Sequence, residues 1–157
     1  FTPVRLRIAV APIARLHAPL ALSVSVSADP GALDDRSGPL RVRAKLAGEC
    51  GTYQYTPGAV LIDKQLNPQP NTGQVYSAGA RGAGAPTAYG VQTVCVWLDD
   101  AGGRTWASDQ STQVDVSRAC TNAASRYDLA RRRHRARRTV AAERSAARRA
   151  CGPGVPL

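Results

Sequence analysis

The chain has 157 residues, a formal net charge of +10 and only 5% aromatic residues, so it suits one principal domain plus an appendage, with a core filled by Val, Leu, Ile and Ala. Its longest apolar runs, such as Ala18 to Leu22, fall far below the ~18 residues that a membrane-spanning helix needs. Four cysteines in two separated pairs without C-x-x-C spacing do not match zinc or thioredoxin-type redox patterns, and point to an oxidised, exported protein.

The absence of Met is expected of a processed or trimmed form. Charge is divided unevenly. Residues 118–157 carry eleven arginines against Asp128 and Glu143, a net of +9, which leaves +1 on residues 1–117. The predicted organisation is a nearly neutral domain over 1–117, a basic helical segment over 118–151 and a flexible tail over 152–157.

From Val4 to Val10, Leu6, Ile8 and Val10 alternate with Arg5 and Arg7, which predicts a half-buried strand ended by Pro12. In Leu20 to Ala28, Leu22, Val24 and Val26 alternate with Ser23, Ser25 and Ser27, the clearest strand of the chain. Asp29, Pro30 and Gly31 open a turn-rich loop through Asp34, Asp35 and Gly38. Leu40 to Leu46 places Leu40, Val42, Ala44 and Leu46 inward and Arg41, Arg43 and Lys45 outward, with Cys50 just beyond the strand. Further strands are expected at Val60 to Lys64 and near Gln74 to Ala80. Pro68, Pro70, Gly73, Gly79, Gly82, Gly84 and Pro86 are read as loop markers.

The stretch Val91 to Trp106 predicts the central hairpin. Val94, Val96 and Leu98 share one face, Asp99 to Gly103 supplies the turn, and Thr105 to Val116 returns with Thr112, Val114 and Val116 inward. Cys95 falls on the opposite face with Thr93 and Trp97, and only Cys50 precedes it. A Cys50–Cys95 bond is therefore expected to tie a loop across the outside of a sheet.

About seven short strands separated by turn signals fit a mainly β, two-sheet sandwich. The strand LALSVSVSA, the cysteine after LRVRAKL, the second cysteine inside GVQTVCVWL and the final strand DQSTQVDV resemble the immunoglobulin-like or fibronectin type III-like domains of secreted actinobacterial proteins. Such proteins often continue into an Arg- and Ala-rich helical segment. The resemblance implies an immunoglobulin-like sandwich in a secreted or cell-surface binding protein. The antibody disulfide, buried between the sheets, is not carried over, because Cys95 has the wrong parity.

Between Cys120 and Cys151 the chain contains neither Gly nor Pro, and its Ala and Arg content predicts helix, with Thr121 or Asn122 as N-cap and Gly152 as the stop. One straight helix would hold the two sulfurs ~45 Å apart at about 1.5 Å per residue, whereas bonded cysteines need Cα atoms about 4.4–6.8 Å apart. Two arrangements satisfy this: a straight helix with an intermolecular bond or free thiols, or a hairpin reversing near His134 to Arg138. The hairpin is the expected one, closed by Cys120–Cys151 and setting Ala123, Tyr127 and Ala130 against Val140, Arg144 and Ala147.

Catalytic, cofactor-binding and metal signatures are not found in the sequence, and no small-molecule substrate is expected. His17 and His134 lack the companions of a triad. The pairs Asp34, Asp35 and Asp99, Asp100 lack the spacing of a calcium loop and read as turn residues. Gly82 and Gly84 lack the Lys-Ser or Lys-Thr of a phosphate loop.

Arg131, Arg132, Arg133, Arg135, Arg137 and Arg138 fill six of eight positions. Such a run repels itself unless anions or solvent compensate, and guanidinium groups pair bidentately with phosphate and carboxylate. Acidic polymers, or a cell-wall or cell-surface partner, are the expected ligands. The 19 Arg against 2 Lys also fit a GC-rich genome and a merely solvated helix. An intracellular nucleic-acid-binding protein is the alternative function, although Tyr127 is the only aromatic residue near the arginines.

Overall fold

Alternating side chains must bury one face of each strand, and two sheets laid face to face do so. A computed structural model of the protein describes residues 4–33, 39–66 and 75–157. Among these lie β1 (Val4–Val10), β2 (Ile13–Ala14), β3 (Leu20–Ala28), β4 (Arg41–Ala47), β5 (Ala59–Gln65), β6 (Tyr76–Gly84), β7 (Gly90–Asp99) and β8 (Thr105–Val116), followed by α1 (Arg118–Arg132) and α2 (Arg137–Cys151). The strands form a three-stranded sheet, β1-β3-β6, and a five-stranded sheet, β2-β8-β7-β4-β5. The fold is a two-sheet β-sandwich continued by a C-terminal helical hairpin.

The core is the one the alternation predicts. Leu22, Val24 and Val26 of β3 share a buried cluster with Val42, Ala44 and Leu46 of β4, Val94, Val96 and Leu98 of β7, and Val114 and Val116 of β8. Burial of each larger side chain contributes roughly 1.5–3 kcal/mol.

The central hairpin turns on Asp100. Its Oδ1 accepts from the backbone N–H groups of Gly102 and Arg104, and its Oδ2 from the indole of Trp106. The Trp106 hydrogen bond, followed by that from Arg104, holds the Asp100 carboxyl below the usual aspartate range. Farther along, Val94 pairs with Thr112 but Val96 pairs with Asp109, so β8 carries one extra residue. Asp109 Oδ1 accepts from the N–H and hydroxyl of Ser111 at this bulge. The bulge reverses parity: Val114 is buried below it, whereas Ala107, opposite Leu98, packs on the core above it.

In the sandwich and at its exit into α1, three features depart from the sequence reading. Pro12 does end β1, but Ile13–Ala14 then pairs in parallel with Asp115 and Val116, carrying the chain from one sheet to the other. Two residues are too short for periodicity to reveal. The strand expected to stop near Ala80 runs on to Gly84, paired with β3 from Leu20↔Gly84 to Ala28↔Tyr76. Gly79, Gly82 and Gly84 are thus strand residues. At Gly82 and Gly84 a Cβ would run into the carbonyl oxygens of Leu61 and Val60 on β5, so the glycines permit close approach of two strands from different sheets. The other loop markers Pro68, Pro70 and Gly73, and the Asp34, Asp35 and Gly38 loop, lie outside the described residues.

The third departure is the helix cap. The N-cap of α1 is Ser117, not Thr121 or Asn122, and its hydroxyl accepts from the Cys120 N–H at 3.0 Å. Pairing fixes this start: Ser117 N–H donates to Ala14 O, so the chain leaves the sheet at Ser117. Thr121, one turn into the helix, accepts from Leu16 N–H and ties α1 to the domain. Ser117→Ala is expected to lower stability by about 1 kcal/mol, read as a drop in the thermal midpoint, while Asn122→Ala, at an exposed helical position, leaves it almost unchanged.

Candidate polyanion-binding surface

Two disulfides prepare the surfaces that remain. Cys50 and Cys95 are bonded, with Cα atoms 5.8 Å apart, and Cys120 and Cys151 are bonded, with Cα atoms 4.6 Å apart. Both expected pairings are present. The first lies on the outer face of the five-stranded sheet, where Ala47, Cys95 and Trp97 form a small second core with Cys50 and Tyr53. Trp97 donates its indole N–H to Gly51 O, and Tyr53 meets the Trp97 ring edge-on at 5.5 Å. The outward side of β4 is therefore covered: Lys45 donates to Tyr53 O and Thr56 O, and both Lys45 and Arg43 lie over the Tyr53 ring.

The second disulfide staples the base of the helical hairpin. Small residues let α1 and α2 approach, with Ala123, Tyr127 and Ala147 buried together and Val140 packed against them. Of the contacts expected across the hairpin, Arg144 makes none of the core and stays exposed. Cys120, Ala124 and Cys151 form a further cluster with Val155 and, partly buried, Ala11, Ile13 and Leu157. Residues 152–157 are therefore not the free tail expected. Arg148 donates to Gly152 O and Val155 O, Arg15 to Pro156 O, and Val155 is buried against the domain.

Helix α1 ends at Arg132, and the chain reverses over residues 133–136 without Gly or Pro. His134 supplies the left-handed conformation that glycine would otherwise provide, with φ +50°. His17 also has a positive φ, +60°, in a turn where its N–H donates to Pro86 O. Both histidines thus serve backbone geometry.

This reversal brings the six arginines of the run to one tip. Residues 131–139 are all exposed, and at about 1.5 Å per residue the two helices set the tip roughly 20 Å from the stapled base. The two acidic residues of the segment are occupied lower down. Asp128 accepts from Arg131 at 2.9 Å and from Arg15 at 3.2 Å, and Glu143 lies 3.7 Å from Arg126. Arg131 also covers the Tyr127 ring at 4.7 Å. Arg132, Arg133, Arg135, Arg137 and Arg138 have no ion-pair partner among the described residues.

The start of α2 adds to this field. Its N-cap, Ala136, makes no side-chain cap, and its first turn holds no acidic residue but begins with Arg137 and Arg138. Cations at the positive end of a helix are unfavourable, and the free N–H groups there attract anions. The reversal expected near His134 to Arg138 implies this helix start, but its uncapped N-terminus is a feature of the structure. The tip is chemically able to bind negative groups through several guanidinium forks at once.

Elsewhere the chemistry is structural. Asp100 is committed to its turn, and Asp99 Oδ1 accepts from the Thr105 hydroxyl. Among the described residues no three His, Cys, Asp or Glu side chains gather as metal ligands would. No protein-family model and no curated protein matches the chain, so the functional reading rests on this geometry.

Proposed function

We propose that the protein is a non-enzymatic, secreted or cell-surface binding module that uses the hairpin tip to hold acidic polymers of a cell wall or cell surface. The observation that carries this reading is the set of five exposed arginines, without ion-pair partners among the described residues, gathered at the tip of a disulfide-stapled hairpin. A merely solvated helix has no need of such placement, since its arginines would gain by spreading along the face. The export half of the reading is supported by two disulfides, which persist in oxidising compartments. Among the described residues no helix is long and apolar enough to cross a membrane. The sheet exchange at Pro12 and the strand orders β1-β3-β6 and β2-β8-β7-β4-β5 support the immunoglobulin-like resemblance.

The test uses duplex DNA as a convenient polyphosphate. Five or six arginines each neutralising one phosphate predict a slope of log K against log salt between about −4.5 and −5.4, without base preference, because guanidiniums around a helix end contact backbones of any sequence. Replacing Arg132, Arg133, Arg135, Arg137 and Arg138 by Gln should remove most of the slope. Equal binding by the two proteins, or a flat slope for the parent, would reduce the tip to a solvated appendage.

A further inference from the structure

A groove of about 630 Å³ opens at the turn end of the central hairpin, between the segment after β4 and the turn from Asp99 to Thr105. That volume lies within the range of small-ligand sites. Its charged lining residues, Arg41, Arg43, Asp99 and Asp100, cancel, and Arg41 and Arg43 are further engaged by Asp63. The groove therefore does not favour anions, unlike the tip. It offers donors and acceptors side by side: the Arg41 fork and the exposed amides of Gln54 and Gln65, whose N–H groups donate and whose carbonyl oxygens accept.

Beside these polar groups stands an apolar plane. The Tyr55 ring is 82% exposed and lines the groove together with Tyr53. The turn that carries both, Tyr53–Tyr55, is fixed from below. Lys45 holds the carbonyls of Tyr53 and Thr56, the Thr56 hydroxyl bridges Gly51 N–H and Thr52 O, and the Cys50–Cys95 bond anchors the segment to β7. An exposed aromatic ring on a rigid turn gains nothing within the fold, but it binds a partner at low entropic cost.

We propose that this groove binds a neutral carbohydrate chain. A sugar ring has an apolar C–H face and, around its edge, hydroxyls that each donate and accept. Tyr55 takes the C–H face, while Arg41, Gln54 and Gln65 take the hydroxyls. The 12 residues of β8 separate this groove from the helical junction by about 40 Å at roughly 3.3 Å per residue. The neutral glycan thus lies at the end of β8 remote from the junction that carries the arginine hairpin.

The experiment is calorimetric titration of the full chain with linear neutral oligomers of glucose, mannose, galactose and N-acetylglucosamine at ~1 M salt, where screening falls to about 3 Å and silences the arginine tip. Saturable binding of at least one oligomer is expected, weakened about tenfold or more by Tyr55→Ala and retained by Tyr55→Phe. Both variants should melt as the parent does, because the ring is so exposed. Absence of binding to all four oligomers would overturn the proposal, as would binding left undiminished by Tyr55→Ala combined with Arg41→Ala.

Discussion

Replacing Cys50 and Cys95 together by alanine is expected to lower the stability by about 4 kcal/mol, the chain-entropy value for a loop of this size. The two residues are 45 apart in sequence, so the open chain regains much freedom. The folded state also loses packing, since both sulfurs belong to the outer-face cluster with Ala47, Tyr53 and Trp97. The main core between the sheets does not contain this bond, so the sandwich itself should still form. Urea denaturation of the double variant checks the magnitude. A loss of less than about 1 kcal/mol would mean that the Trp97 and Lys45 hydrogen bonds suffice to hold the outer segment, since such bonds are worth roughly 0.5–1.5 kcal/mol each.

Gly82→Val should cost about 3 kcal/mol or more, at the upper end of overpacking effects. The new Cβ meets the backbone carbonyl of Leu61, with the Ile62 side chain 3.0 Å away. A carbonyl in a paired strand cannot rotate aside as a flexible side chain would, so β5 and β6 must separate and open that side of the sandwich. Gly79→Ala is the control on the same strand. Its Cβ meets only Val24 O at 3.5 Å, ordinary contact, and the substitution should be tolerated or slightly stabilising because alanine restricts the unfolded chain. Equal thermal midpoints for the two variants would show that the edge of the sandwich opens without cost.

Much of the fold was legible because periodicity is local. LALSVSVSA, LRVRAKL and VQTVCVWL each state which side chains face inward, and the structure buries those side chains. The same parity placed Cys95 outside the core, and hence its bond to Cys50 on the outer face. Chain reach served equally well for the tail, where the distance between Cys120 and Cys151 along one helix left few ways to pair them within a chain. The arginine run and its reversal near His134 to Arg138 were both legible, but the left-handed conformation of His134 that makes the turn is one that its residue type does not announce.

What escaped the sequence depends on what lies opposite each residue. Gly82 and Gly84 read as loop markers because glycine marks both turns and close approaches, and only the position of β5 distinguishes them. Ser117 became the cap because β2 pairs with the end of β8, a contact between segments about 100 residues apart in sequence. The C-terminal residues looked free until Val155 found Ala11, Ile13 and the second disulfide. The neutral groove draws Arg41, Tyr55 and Asp99 from separate segments that share no sequence motif. Composition and alternation therefore determined the layers, the faces and the cysteine pairs of this protein, since these follow from each strand's own pleat and the reach of its own chain. Tertiary packing decided the caps, the close approaches and the surface sites, since each is a relation between a residue and a distant backbone that no local pattern encodes.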